Sequence, residues 1–209
     1  MKIDWKKDDK QFYLPASKPV EIEIPAFKFF SVKGSGNPND DFFADYIGVL
    51  YSLSYAVKMS PKNSFAPRDY VEYTVYPLEG IWDLKEEAKT KPTTHLDKND
   101  LVFNLMIRQP DFVTEEFARE VIDRTVKKKP HRLLDEVIFG IIEDGRCVQM
   151  MHSGSYDNEP LSFKIMQDFC DNEGYVRETG QHREIYLSDA RRVAPEKLRT
   201  VLRFSIRDK

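Results

Sequence analysis

The chain has 209 residues, 41% of them hydrophobic and 32% charged, with a formal net charge of −3. That length holds a genuine core, and the balance suits a folded globular protein rather than a disordered one. The slight acidity argues against non-specific nucleic-acid binding, no apolar run approaches the ~20 residues of a bilayer span, and Met1–Lys7 lacks the apolar core of a secretory signal.

Residues 1–20 are polar and charged, interrupted by Pro15 and Pro19, and read as an arm packed on a domain. Glu21 to Lys33 carries one strand pattern, stopped by Gly34-Ser35-Gly36-Asn37-Pro38. Asn39 or Asp40 then caps a helix whose Phe43, Ile47, Leu50, Tyr51, Ser54 and Tyr55 recur at spacings of three and four. Tyr70–Tyr76 alternates as a second strand, and Leu101–Arg108 is a third, closed by Pro110. Thr114 caps a connecting helix with Glu115, Glu116 and Glu120 near its start and Lys127-Lys128-Lys129 at its end. That charge order suits the helix dipole, so the lysine run needs no nucleic acid to explain it.

Leu133 to Glu143 reads as a strand turning at Asp144-Gly145 in a hairpin-type signal. Arg146–His152 is a strand, Glu159–Asn172 a helix with Pro160 in its first turn, and Glu184–Leu187 and Leu198–Ile206 are the last strands. The two halves share the order β-α-β-β. A slide of about 120 residues superposes Gly34-Ser35 on Gly154-Ser155, Phe43 on Phe163 and Tyr55 on Tyr175. The expected fold is α+β, with duplicated β-α-β-β repeats forming antiparallel sheet and helices around a central ligand cleft. One domain spans 1–209: an arm over 1–20, a first repeat over 21–110, a connecting helix over 111–132 and a second repeat over 133–209.

Chemistry is sought among few candidates. Cys147 and Cys170 have no metal-ligand spacing and suit two buried thiols in a reducing cytoplasm. His95, His131, His152 and His182 are scattered, and no HExxH, CxxC, phosphate-loop, GxGxxG or GxSxG pattern is present, so no metal or cofactor is expected. The stretch His182-Arg183-Glu184-Ile185-Tyr186-Leu187-Ser188-Asp189 carries more. On a strand, Glu184 and Tyr186 share one face and Ile185 takes the other. A carboxylate beside rings in a half-dry pocket is costly to ionise without a cation or donor. Two uses stay open: attraction of cationic or electron-poor aromatic ligands, or general-base activation of water. Trp82, following a strand and Gly80, serves equally as core plug or as cover for an opening, whereas the i, i+4 pair Tyr51 and Tyr55, like Phe43 and Phe163, leans toward core.

At Leu50–Tyr55, Pro77–Trp82, Leu105–Pro110, Gln149–Tyr156 and His182–Arg199 the chain resembles the GyrI-like small-molecule-binding family, in its stand-alone branch without a helix-turn-helix. The resemblance implies a SOUL-like fold with a central cleft for lipophilic, often cationic ligands and a glutamate on a strand of the second repeat, which falls on Glu184. It is closer still to cyclopropanoid cyclopropyl hydrolases, which open the strained ring of duocarmycin-like alkylators in an aromatic cage. On that basis Glu184 and Tyr55 are the catalytic candidates, and Trp82, Tyr186, Phe43, Phe163 and Met151 line the ligand. Ser155 and Ala190 depart from the prolines of many relatives; both lie in turns. The partner implied is a hydrophobic aromatic or cationic small molecule, with no direct nucleic acid and no membrane.

Overall fold

The computed structural model describes residues 2–90 and 97–209, so His95 lies outside the described residues. In chain order its main elements are α1 (Lys10–Tyr13), β1 (Val20–Ile24), β2 (Phe27–Ser35), α2 (Phe42–Lys58), β3 (Leu78–Leu84), α3 (Glu86–Lys89), β4 (Leu101–Gln109) and α4 (Glu115–Lys128). There follow β5 (Ile138–Ile142), β6 (Gly145–Ser153), α5 (Glu159–Glu173), β7 (Tyr175–Arg177), β8 (His182–Tyr186) and β9 (Arg199–Asp208). The chain forms two compact units. One takes the segment up to Asp4 with Phe27–Leu78 and Trp82–Ile142; the other takes Trp5–Ala26, Glu79–Ile81 and Glu143–Lys209.

In the first unit β2 pairs antiparallel with both β4 and β5, and β3 borders β4. The inner face of α2 (Tyr46, Val49, Leu50, Leu53 and Val57) is buried at helical spacing. Helix α4 starts where Thr114 accepts a hydrogen bond from the Phe117 amide, satisfying a donor the first turn leaves open. Phe103 packs edge-on against both Phe43 and Tyr46, at 5.2 and 5.3 Å between ring centroids. Gly34 makes room for that cluster, because a Cβ there would stand 2.5 Å from the Phe103 ring and 2.9 Å from Tyr46.

In the second unit the order is β1-β6-β9-β8, with β7 also on β9 and Glu79–Ile81 of β3 beside β8. Helix α5 covers one face of this sheet, burying Val148, Met150, Met166, Cys170, Leu202, Phe204 and Ile206. Each such side chain contributes about 1.5–3 kcal/mol when fully buried.

The repeat order holds: β2-α2-β3-β4 and β6-α5-β8-β9. In both, the first strand pairs with the last. The detailed superposition differs. Gly36 (φ +117°) and Gly154 (φ +132°) each follow directly on the first strand of their repeat, whereas Tyr55 lies inside α2 and Tyr175 beyond α5, in β7.

Other expectations are corrected. The strand expected over Glu21–Lys33 is two strands broken at Pro25-Ala26, in different units. Proline supplies no amide to a ladder, which ends β1. Tyr70–Tyr76 forms no strand beyond one parallel bridge between Tyr73 and Ile3. Its rings are used singly: Tyr70 donates to the Lys58 carbonyl, Tyr73 donates to that of Ser54, and Tyr76 stacks on Arg108. Leu133–Glu136 lies in a 3-10 turn, and β5 pairs with β2 rather than with β6, so Asp144-Gly145 closes no hairpin. Trp82 stands within β3 rather than after a strand.

Candidate functional site

Register decides what β8 presents. Glu184 lies opposite Leu202, and Arg183 and Ile185 lie opposite Arg203 and Val201. Leu202 belongs to the core under α5, so Glu184 shares the α5 face with His182 and Tyr186, while Arg183 and Ile185 take the other.

The carboxylate of Glu184 is held from both sides. His182 Nε2 donates to Oε1 at 3.0 Å and the Tyr186 hydroxyl donates to Oε2 at 2.8 Å. An i−2 and an i+2 neighbour on one pleated face thus fix a single carboxylate rotamer. Its side chain keeps 12% of its surface open. The Phe163 ring meets His182 edge-on at 4.7 Å and stacks toward Phe204 at 6.5 Å. Tyr156 meets Tyr186 edge-on at 6.0 Å. Its hydroxyl is pushed up to about 12 by burial first and then by the negative charges of Glu184, Glu159 and Asp189. Beside them, His152 donates from Nε2 to the Ser155 carbonyl at 3.0 Å and, in its neutral form, accepts the Ser162 hydroxyl proton at Nδ1, 2.9 Å away.

The opposite face carries a buried ionic network for which the sequence reading made no provision. Arg183 donates to Glu79 at 2.8 Å and to Asp144 at 2.6 Å. Arg203 donates to Gln149 Oε1 and the Phe12 carbonyl, and Tyr13 donates to Glu79. Burial works against the Arg183 charge, yet Asp144 and Glu79 outweigh it and hold its pKa above the ordinary arginine value. For Arg203, burial and then the Arg183 charge bring it below that value. The available signal was charge beside apolar neighbours: Glu79 between Leu78 and Gly80, and Arg203 between Leu202 and Phe204.

The remaining candidates fall as follows. Met151 lies opposite Val201, on the face away from Glu184. In the first unit Trp82 packs 5.9 Å from Phe43 and 5.4 Å from Phe103, and is 5% exposed. Tyr55 is 52% exposed, with Tyr51 its ring neighbour at 6.3 Å. Among the described residues no group of three or more His, Cys, Asp or Glu side chains is arranged to hold a metal, and no helix is long and apolar enough to cross a membrane.

Comparison with known proteins identifies the family and the fold. Residues 17–207 match the family model of the GyrI-like small molecule binding domain. A hydrolase from Listeria innocua is 35% identical with a TM-score of 0.88, over 98% of this chain and 100% of that one. A hydrolase encoded by lin2189 from the same organism is 36% identical with a TM-score of 0.89, over 99% of this chain and 100% of that one. The EcmrR C-terminal domain shares the fold at 13% identity and a TM-score of 0.57, over 92% of this chain and 98% of that one. No curated protein matches the sequence.

Proposed function

The chain belongs to the GyrI-like small-molecule-binding family, and from that premise we propose that it is a cytoplasmic detoxifying hydrolase. Its substrate is a planar, lipophilic electrophile with a strained cyclopropane, of the duocarmycin-like kind. The observation that carries this reading is Glu184, a carboxylate fixed by His182 and Tyr186 and flanked by aromatic rings. The likeness to two Listeria hydrolases along nearly the whole chain supports it.

The chemistry is modest. Water held by Glu184 attacks the cyclopropane methylene, giving its proton to the carboxylate. The carbon–carbon bond to the ring opens, and its electron pair runs through the conjugated dienone to the oxygen, leaving a phenolate. Relief of strain drives the step, so positioning and acid–base help suffice. Phe163 and Tyr186 supply the ring walls, both in the second unit with Glu184.

The test is mass spectrometry of a cyclopropanoid alkylator before and after exposure to the protein. Wild type should add the mass of one water, and Glu184→Gln should slow that gain by about 10²–10⁴-fold, the usual range for a lost general base. Binding with unchanged ligand mass would assign a sequestering role instead.

A further inference from the structure

A reaction that ends in a phenolate needs a donor for that oxygen as well as a base for the water. Tyr186 is unsuited, since its proton is already given to Glu184. We propose that Tyr156 is this donor: its hydroxyl binds the dienone oxygen of the substrate and takes up the charge that ring opening places there. The inference rests on the hydrolase reading above and adds a second catalytic residue to it.

Four observations carry it. Tyr156 opens a short 3-10 turn before α5, and its ring stands edge-on to Tyr186, the immediate neighbour of the base. Among the described residues its hydroxyl has no hydrogen-bond partner, unlike those of Tyr13, Tyr70, Tyr73, Tyr175 and Tyr186. The turn that presents it is fixed at its start. His152 holds the Ser155 carbonyl, the Gly154 amide donates to Leu198, and the Ser155 hydroxyl accepts from the Asp157 amide. Finally, burial first and then the charges of Glu184, Glu159 and Asp189 favour the protonated phenol, which keeps it a donor at any physiological pH.

The proton balance closes without a co-reactant. Water gives one proton to Glu184 as the new carbon–oxygen bond forms. The electron pair of the broken carbon–carbon bond comes to rest on the oxygen held by Tyr156. That oxygen is protonated from Glu184 through solvent, returning both residues to their starting state. A donor aimed at the developing charge, in place before the reaction, stabilises the transition state more than the ground state.

Tyr156→Phe keeps the ring and removes only the hydroxyl. It should lower kcat roughly 10²–10³-fold, the loss typical of one oxyanion donor, while KM changes less than about threefold. Urea unfolding should match wild type, because no internal hydrogen bond is lost. Substrates with electron-withdrawing ring substituents should show a smaller defect, since their phenolates need less help. A variant with wild-type kcat, or a defect equal across that substrate series, overturns the role of Tyr156. Intact compound with the wild-type protein overturns the hydrolase reading and this inference together.

Discussion

Replacing Arg183 by methionine keeps most of the side-chain volume and removes one charge from the buried network. Its side chain is 5% exposed, and Glu79, at 2%, then keeps, among the described residues, the Tyr13 hydroxyl as its side-chain hydrogen-bond partner. A buried charge stripped of its partner costs about 3–5 kcal/mol. Asp144 softens the loss little for Glu79, since it is itself acidic and faces Arg203 at 3.7 Å. The expected destabilisation is therefore about 3–5 kcal/mol by urea titration at 25 °C, read from the midpoint at unchanged slope. Replacing Glu79 by methionine as well removes the stranded charge, leaving the Tyr13 hydroxyl short of an acceptor at about 1–3 kcal/mol. The double variant should thus be no less stable than Arg183→Met alone. A loss below about 1 kcal/mol in the single variant, or simple additivity in the double, would refute the network as described.

Gly34→Ala should cost about 1–3 kcal/mol, because its Cβ collides with the Phe103 ring; unchanged thermal and urea midpoints would show that the ring moves freely. Cys147 is 1% exposed, and burial raises its thiol to about 11, so it should resist a thiol reagent in the native protein and react on unfolding. Fast native labelling at Cys147 would contradict the packing. Arg146 and then Tyr175 hydrogen-bond Glu21 and hold its carboxyl below the usual range. A depressed acid adds stability above its unfolded pKa, ordinarily 4.5, and loses it as pH falls through the folded one. Glu21→Gln should therefore flatten the stability profile below that pH, while a parallel profile would remove Glu21 from the acid transition.

Much of this was legible because it depends on neighbours in the chain. The face shared by Glu184 and Tyr186 follows from strand alternation, and the α4 start follows from Thr114 and the two acids behind it. What the sequence hid depends on partners far along the chain. Nothing near Pro25 says that β1 pairs with β6 while β2 pairs with β4 and β5. The tyrosines of Tyr70–Tyr76 mimic a strand, although the hydroxyls of Tyr70 and Tyr73 bind carbonyls of α2. The donors for Glu184 were present in the octapeptide, but a histidine–carboxylate–phenol row becomes visible only once the register is fixed.

The exchange of edge strands governs how the molecule is made. The strand β1 leaves the ribosome before its partner β6, which lies beyond the first repeat, and before Arg203, which holds the Phe12 carbonyl. Ordering the arm therefore waits for a loop of more than half the chain to close, a step whose entropy grows with loop length. The first unit waits likewise for β5, but needs nothing after Ile142. Synthesis thus favours one order, with the first unit complete while the second still lacks its core. The base Glu184, held within the late unit, takes its place only once β9, its ladder partner, has been translated.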